Sequence, residues 1–170
     1  MRWSRLKTLI EGRFAASLHR RVQLRVTSYR HAHDGEGRGW ITLDRKEIFD
    51  ASTIRHYGAF SELNSALQEQ GLGSTKAHRR ARAQLEAEGV YTEWTFWEAL
   101  EEYLDLSIVS ALSSTNVLHR ALAMIDRRLG QRRFRALRLR REDHSLVRQL
   151  YRARGLAEEW LREGDDEVAA

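Results

Sequence analysis

The chain has 170 residues, 42% of them apolar and 31% charged, with a net charge of +5 and a pI near 10.0. This length suits one domain with a real core, and the apolar share excludes a disordered chain. Cysteine and proline are both absent; disulfides, thiolate chemistry and cysteine-built zinc sites are excluded, and glycine is left to mark the breaks.

Trp3, Leu6, Leu9, Ile10, Phe14 and Leu18 recur at helical spacing, which predicts an amphipathic helix from Trp3 to about Ser17. From Arg21 to Tyr29 the period changes to two. Val22, Leu24, Val26 and Ser28 alternate with Gln23, Arg25, Thr27 and Tyr29, as a half-buried strand requires. Continued, the strand carries His31 and His33 on its polar side. Asp34 to Gly39 reads as a glycine-bearing loop, and Gly39 to Asp44 as a second strand. A tight turn at Asp44-Arg45 leads into a third strand, Lys46 to Ala51. Connections this short predict an antiparallel meander.

Beyond Ser52 the pattern is helical. Helices are expected over Phe60 to Gln70, over Lys76 to Glu88 with Ser74 as cap, and from Thr92 onward. In the last of these, Trp94, Trp97, Leu100, Tyr103 and Leu104 form the expected apolar stripe. A short helix over Ser107 to Leu112 precedes one over Val117 to Leu129, capped by Asn116. The final helix, Asp143 to Arg162, turns Val147, Leu150, Tyr151, Ala157, Trp160 and Leu161 inward. Gly164 to Ala170 reads as a fraying acidic tail. The fold class is α+β: a small antiparallel meander of about three strands packed against the N-terminal helix and a C-terminal helical region. Residues 1–137 read as one domain and 138–170 as a helical extension with the acidic tail.

The opening Met-Arg-Trp-Ser-Arg-Leu-Lys, the run Tyr-Arg-His-Ala-His-Asp-Gly-Glu-Gly-Arg-Gly-Trp-Ile-Thr from Tyr29, Tyr-Leu-Asp-Leu-Ser from Tyr103, and Arg-Ala-Leu-Ala-Met-Ile-Asp-Arg-Arg-Leu-Gly from Arg120 to Gly130 together carry a resemblance. The chain resembles a family of uncharacterised bacterial proteins over roughly its first three quarters. The resemblance implies a bacterial source and a shared fold, and it brings no activity with it. Where that family tends to have Asp-Gly-Lys at the second turn, this chain has Asp44-Arg45-Lys46, which leaves the turn type open.

Two constellations can carry function. His31, His33, Asp34 and Glu36 offer two imidazoles and a carboxylate to a divalent metal, which would activate water in a metal-dependent hydrolase with Glu36 as base. A polar strand end facing water explains the same residues. Gly35, Gly37 and Gly39 match neither a P-loop nor a dinucleotide fingerprint and read as loop glycines. The second constellation runs from Arg120 to Arg141, with nine arginines against the single acid Asp126. Arg127, Arg128, Arg132, Arg133, Arg135, Arg138, Arg140 and Arg141 are the residues expected to meet phosphates in nucleic acid, or carboxylates of an acidic protein partner. A solvated face, partly neutralised by Glu158, Glu159, Glu163, Asp165, Asp166 and Glu167, is the competing explanation. No apolar run reaches membrane-spanning length and no continuous apolar leader is present, so no membrane partner is expected and the location is expected to be cytoplasmic. A non-enzymatic binding module is the preferred reading, and the metal-dependent hydrolase is the alternative.

Overall fold

The computed structural model describes residues 1–28 and 37–162 of the chain. Strands β1 (Val22–Ser28), β2 (Gly37–Leu43) and β3 (Lys46–Ser52) form one antiparallel sheet in the order β1-β2-β3, the expected meander. Leu24 faces Ile41 across β1 and β2, and Ile41 faces Phe49 across β2 and β3. These apolar residues share one face because side chains alternate along each strand. Arg25, Trp40 and Asp50 align in the same way on the other face.

The two-residue turn between β2 and β3 has positive φ at both Asp44 (50°) and Arg45 (70°). That is the signature of a type I′ turn, the form whose twist suits a hairpin. The open question of the turn type is thereby answered: a non-glycine residue, Arg45, occupies a position that favours glycine. Two hydrogen bonds from Arg21, of 2.8 and 2.7 Å, hold the Asp44 carboxylate in place.

Helix α1 (Trp3–Glu11) is shorter than its periodicity suggests. The backbone after it has other partners: Ala15 donates to the Ile125 carbonyl and Arg127 donates to the Arg13 carbonyl, both at 2.8 Å. This bridge draws Phe14 into the core, and a 3-10 turn over Ala16–Leu18 buries Leu18. Glu11, at the end of α1, accepts the Leu24 backbone N–H at 2.8 Å, covering part of the β1 edge that would otherwise invite another strand.

Helix α2 (Thr53–Glu69) begins directly after β3, seven residues before the expected start at Phe60. Ile54 and Tyr57 in its first turns are exposed, so no apolar stripe marks them. Its partner α3 (Ser74–Ala87) packs on it around Leu67, Ala77 and Ala81, a small cluster separate from the main core. Helix α4 (Glu93–Asp105) opens with a capping box between Thr92 and Thr95, which satisfies two backbone donors at once. Its inward face is Phe96, Ala99, Leu100 and Tyr103. Trp94 therefore corrects the expected stripe. At about 100° per residue it lies about 160° round the helix from Phe96, and it is 65% exposed.

Gly37 and Gly39 lie in β2 rather than in a loop. A Cβ on Gly39 would stand 2.5 Å from the Phe96 ring, and one on Gly37 would overlap the Glu93 carboxylate. Both glycines allow α4 to press directly on the sheet. Short helix α5 (Ile108–Leu112) leads to α6 (Val117–Ile125), which Asn116 caps by accepting from the Leu118 and His119 N–H groups. Helix α7 (Gln131–Ala136) and helix α8 (Ser145–Ala157) follow. Leu146, Val147 and Leu150 of α8 join Leu118, Leu122 and Leu100 in the same core as Ile10, Leu24 and Ile41. Beyond the C-cap Glu158 of α8, Glu159 is left-handed (φ 56°) and Trp160 donates back to the Gly155 carbonyl at 2.7 Å. This is a Schellman closure, and it folds Leu161 onto Gly155, where a Cβ would not fit. Among the described residues no helix is long and apolar enough to cross a membrane.

Two glycine exchanges are expected to act in opposite directions in chemical denaturation. Arg45→Gly relieves a left-handed non-glycine residue and should stabilise by about 1 kcal/mol. Gly39→Ala drives a methyl group into Phe96 and should destabilise by about 1–3 kcal/mol.

Candidate nucleic-acid interface

The arginine-rich segment grows out of the end of α6, where Asp126 is fully buried. Its carboxylate accepts the Tyr103 hydroxyl at 2.6 Å, the Arg128 guanidinium at 2.7 Å and the Arg128 backbone N–H at 2.8 Å. Burial alone would raise the Asp126 pKa, but the bonds from Arg128 and Tyr103 outweigh it and hold the group below its ordinary 3.8. The remaining Arg128 nitrogen donates to the Leu106 carbonyl at 2.9 Å. Arg13 donates to the Tyr103 and Leu104 carbonyls, so two guanidinium groups close the C-terminal end of α4. Arg128 thus belongs to the frame of the protein. The same is true of Arg120, which is paired with Asp143.

The other arginines are differently placed. Phe134 of α7 is fully buried, stacked on Tyr151 at 4.2 Å between ring centroids with a 7° interplanar angle, and edge-on to Trp160 at 5.1 Å. This anchor fixes the rotation of α7. Arg132, Arg133 and Arg135 are exposed around it, as are Arg127, Arg138, Arg140 and Arg141 on the flanking chain. Arg140 lies 3.5 Å from Glu142. Among the described residues no carboxylate pairs with Arg127, Arg132, Arg133 or Arg135. Gly130, Gln131, Arg132, Arg133 and Ala136 line an open hollow of about 590 Å³. Of the acids expected to neutralise this segment, Glu158 is engaged by Arg154 at 3.2 Å and by Ser17 at 2.6 Å, while Glu163, Asp165, Asp166 and Glu167 lie outside the described residues.

His31, His33, Asp34 and Glu36, the candidate metal ligands, also lie outside the described residues. Ser28 and Gly37, which bound that stretch, pair with one another across β1 and β2. Among the described residues no group of three or more His, Asp or Glu side chains is arranged to hold a metal ion. The outer face of the sheet is occupied by Arg38, which donates to Asp50 at 2.5 Å, pairs with Glu47 and lies 5.2 Å over the Trp40 ring. Trp40 is half-buried beneath it.

Two features were missed in reading the sequence. Lys76, Arg79 and Arg80 form an exposed basic group on α3, visible in the sequence as the run Lys-Ala-His-Arg-Arg. His56 is 6% exposed, and among the described residues neither ring nitrogen has a hydrogen-bond partner. Burial lowers its pKa, with the nearby Glu86 opposing and Arg82 reinforcing that shift, so the ring is held neutral.

The fold and the segment together define a small α+β protein that presents an arginine-rich helix on a tyrosine–tryptophan anchor. The chain belongs to the SF0329 protein family, whose model matches residues 2–155. The match includes the Asp126–Arg128 clamp, α7 and most of α8. No curated protein and no solved structure matches the chain.

Asp126→Ala leaves the buried Tyr103 hydroxyl without its acceptor and Arg128 without its carboxylate, and should cost about 3–5 kcal/mol. Because the folded pKa is depressed, the carboxylate stabilises fully above the ordinary Asp range, and this contribution is lost as pH falls through the folded pKa. Stability measured from pH 7 down to 2 should therefore fall less in Asp126→Asn than in the parent, since Asn has no proton to gain.

Proposed function

We propose that this protein binds nucleic acid through backbone phosphates, using the exposed arginines of α7 and its flanks. The observation that carries the reading is the fixed rotation of α7: with Phe134 locked inward, Arg132, Arg133 and Arg135 face water in a segment, residues 127–141, that contains no acid. A guanidinium meets phosphate oxygens with two parallel hydrogen bonds. Phe134 is the one aromatic residue between 127 and 141, and its burial removes it as a surface for stacking bases. Contacts then fall on phosphates, and binding is indifferent to sequence. The positive net charge adds long-range attraction for a polyanion.

The test is fluorescence anisotropy of labelled mixed-sequence RNA and DNA with the full chain across a salt series. The parent should bind with a steep negative slope of affinity against salt. Changing Arg132, Arg133 and Arg135 to alanine should flatten the slope on duplex DNA by roughly 2–3, at about 0.9 per lost phosphate contact. His31→Ala with His33→Ala should leave binding unchanged. Absence of binding at low salt would overturn the reading and turn attention to an acidic protein as the partner.

A further inference from the structure

The exposed face of α4 is the counterpart of the arginine segment. From residue 93 to residue 119 the chain has no lysine or arginine, and from 127 to 141 it has no acid. On α4, Trp94 is 65% exposed. Trp97, one turn on, is half-buried and packs on Trp3 with ring centroids 5.4 Å apart. Met1, Trp94, Trp97, Glu98 and Glu101 line a hollow of about 330 Å³. Both carboxylates at its rim already hold cations: Glu101 takes the Met1 ammonium at 2.8 Å, and Glu98 takes the Arg82 guanidinium. Glu102 and Asp105 extend the acidic rim, both exposed.

An exposed indole beside carboxylates is the chemistry that recognises a guanidinium, by cation–π attraction to the ring and charge-assisted bonds to the acids. The fold itself makes such contacts, with Arg38 5.2 Å over Trp40 and Arg154 4.9 Å over Trp160. We infer that the Trp94–Trp97 hollow receives an arginine of α7 from a second copy of this chain, so that the protein self-associates through its acidic–aromatic face and its arginine face. The two faces are complementary in charge: among the described residues, Arg132, Arg133 and Arg135 have no carboxylate partner, and the acidic–aromatic face offers the chemistry that takes a guanidinium. Opposed patches of this kind steer encounter and make association salt-dependent. The same arginines serve the proposed nucleic-acid contact, so bound nucleic acid and the second copy exclude one another. The association itself rests on the exposure of α7 and not on that reading.

Sedimentation velocity of the full chain at low salt, over a range of concentrations, tests this. The parent should associate reversibly and dissociate when salt is raised. Trp94→Ala should weaken association at least roughly tenfold, as the loss of a desolvated cation–π pair predicts. The triple change of Arg132, Arg133 and Arg135 to alanine should do the same. Mixing these two variants should restore association, because each supplies the face the other lacks, and this outcome also shows that both are folded. A parent that stays monomeric up to about 1 mM, the weak end of the affinity scale, would overturn the inference. So would Trp94→Ala associating like the parent, or a mixture that stays monomeric. Trp94→Ala should keep full nucleic-acid binding, so failure of either proposal leaves the other separately readable.

Discussion

The structure turns on a carboxylate that has no contact with water. Asp126 ends α6, and three elements meet on it: Tyr103 from α4 through its hydroxyl, Arg128 from the following turn, and residues 13–15 through the backbone bridge on either side. Its own carbonyl takes the buried Arg154 of α8 at 3.2 Å. A buried charge is tolerated only where its lone pairs are met, and here every partner also has a second task. Tyr103 sits in the core, Arg128 closes the end of α4, and Arg154 stacks 4.9 Å from the Trp160 ring. The constraint also decides which arginines remain available. Arg128 and Arg120 are engaged by the carboxylates of Asp126 and Asp143, and the chain emerges into α7 with its remaining guanidinium groups outward.

Much of this was legible in the sequence where a single periodicity governed. The period of two gave β1, and the short turns gave the meander and its order. The caps at Thr92 and Asn116 marked the starts of α4 and α6. The misses share a physical origin: contacts distant in sequence. Helix α1 stops early because residues 13–15 bond to 125–127, which no local pattern records. Gly37 and Gly39 looked like loop glycines, yet their role is set by Glu93 and Phe96 more than fifty residues away. Trp94 was assigned to the core by its helical spacing to Trp97, whereas the angle from Phe96 and Ala99 places it in solvent. Gly155, within α8, is the seat on which Leu161 closes.

For the candidate interface, the cluster of arginines was plain in the sequence but its division was not. Charge counting treats Arg128 and Arg133 alike. The structure separates them, since one is bonded to a buried acid and the other faces water beside a hollow. Phe134 marks the same limit: one aromatic residue in an arginine run makes no stacking platform, and its burial against Tyr151 makes it the anchor that aims its neighbours. Charge is segregated between α4, which has acids and no lysine or arginine, and residues 127–141, which have arginines and no acid.

The most direct measurement is hydrogen–deuterium exchange of the full chain with and without a mixed-sequence oligonucleotide at low salt. The account predicts protection over residues 127–141, strongest in α7, with α3 unchanged. Protection confined to the Lys76, Arg79 and Arg80 face of α3, with residues 127–141 exchanging as in the free protein, would contradict it.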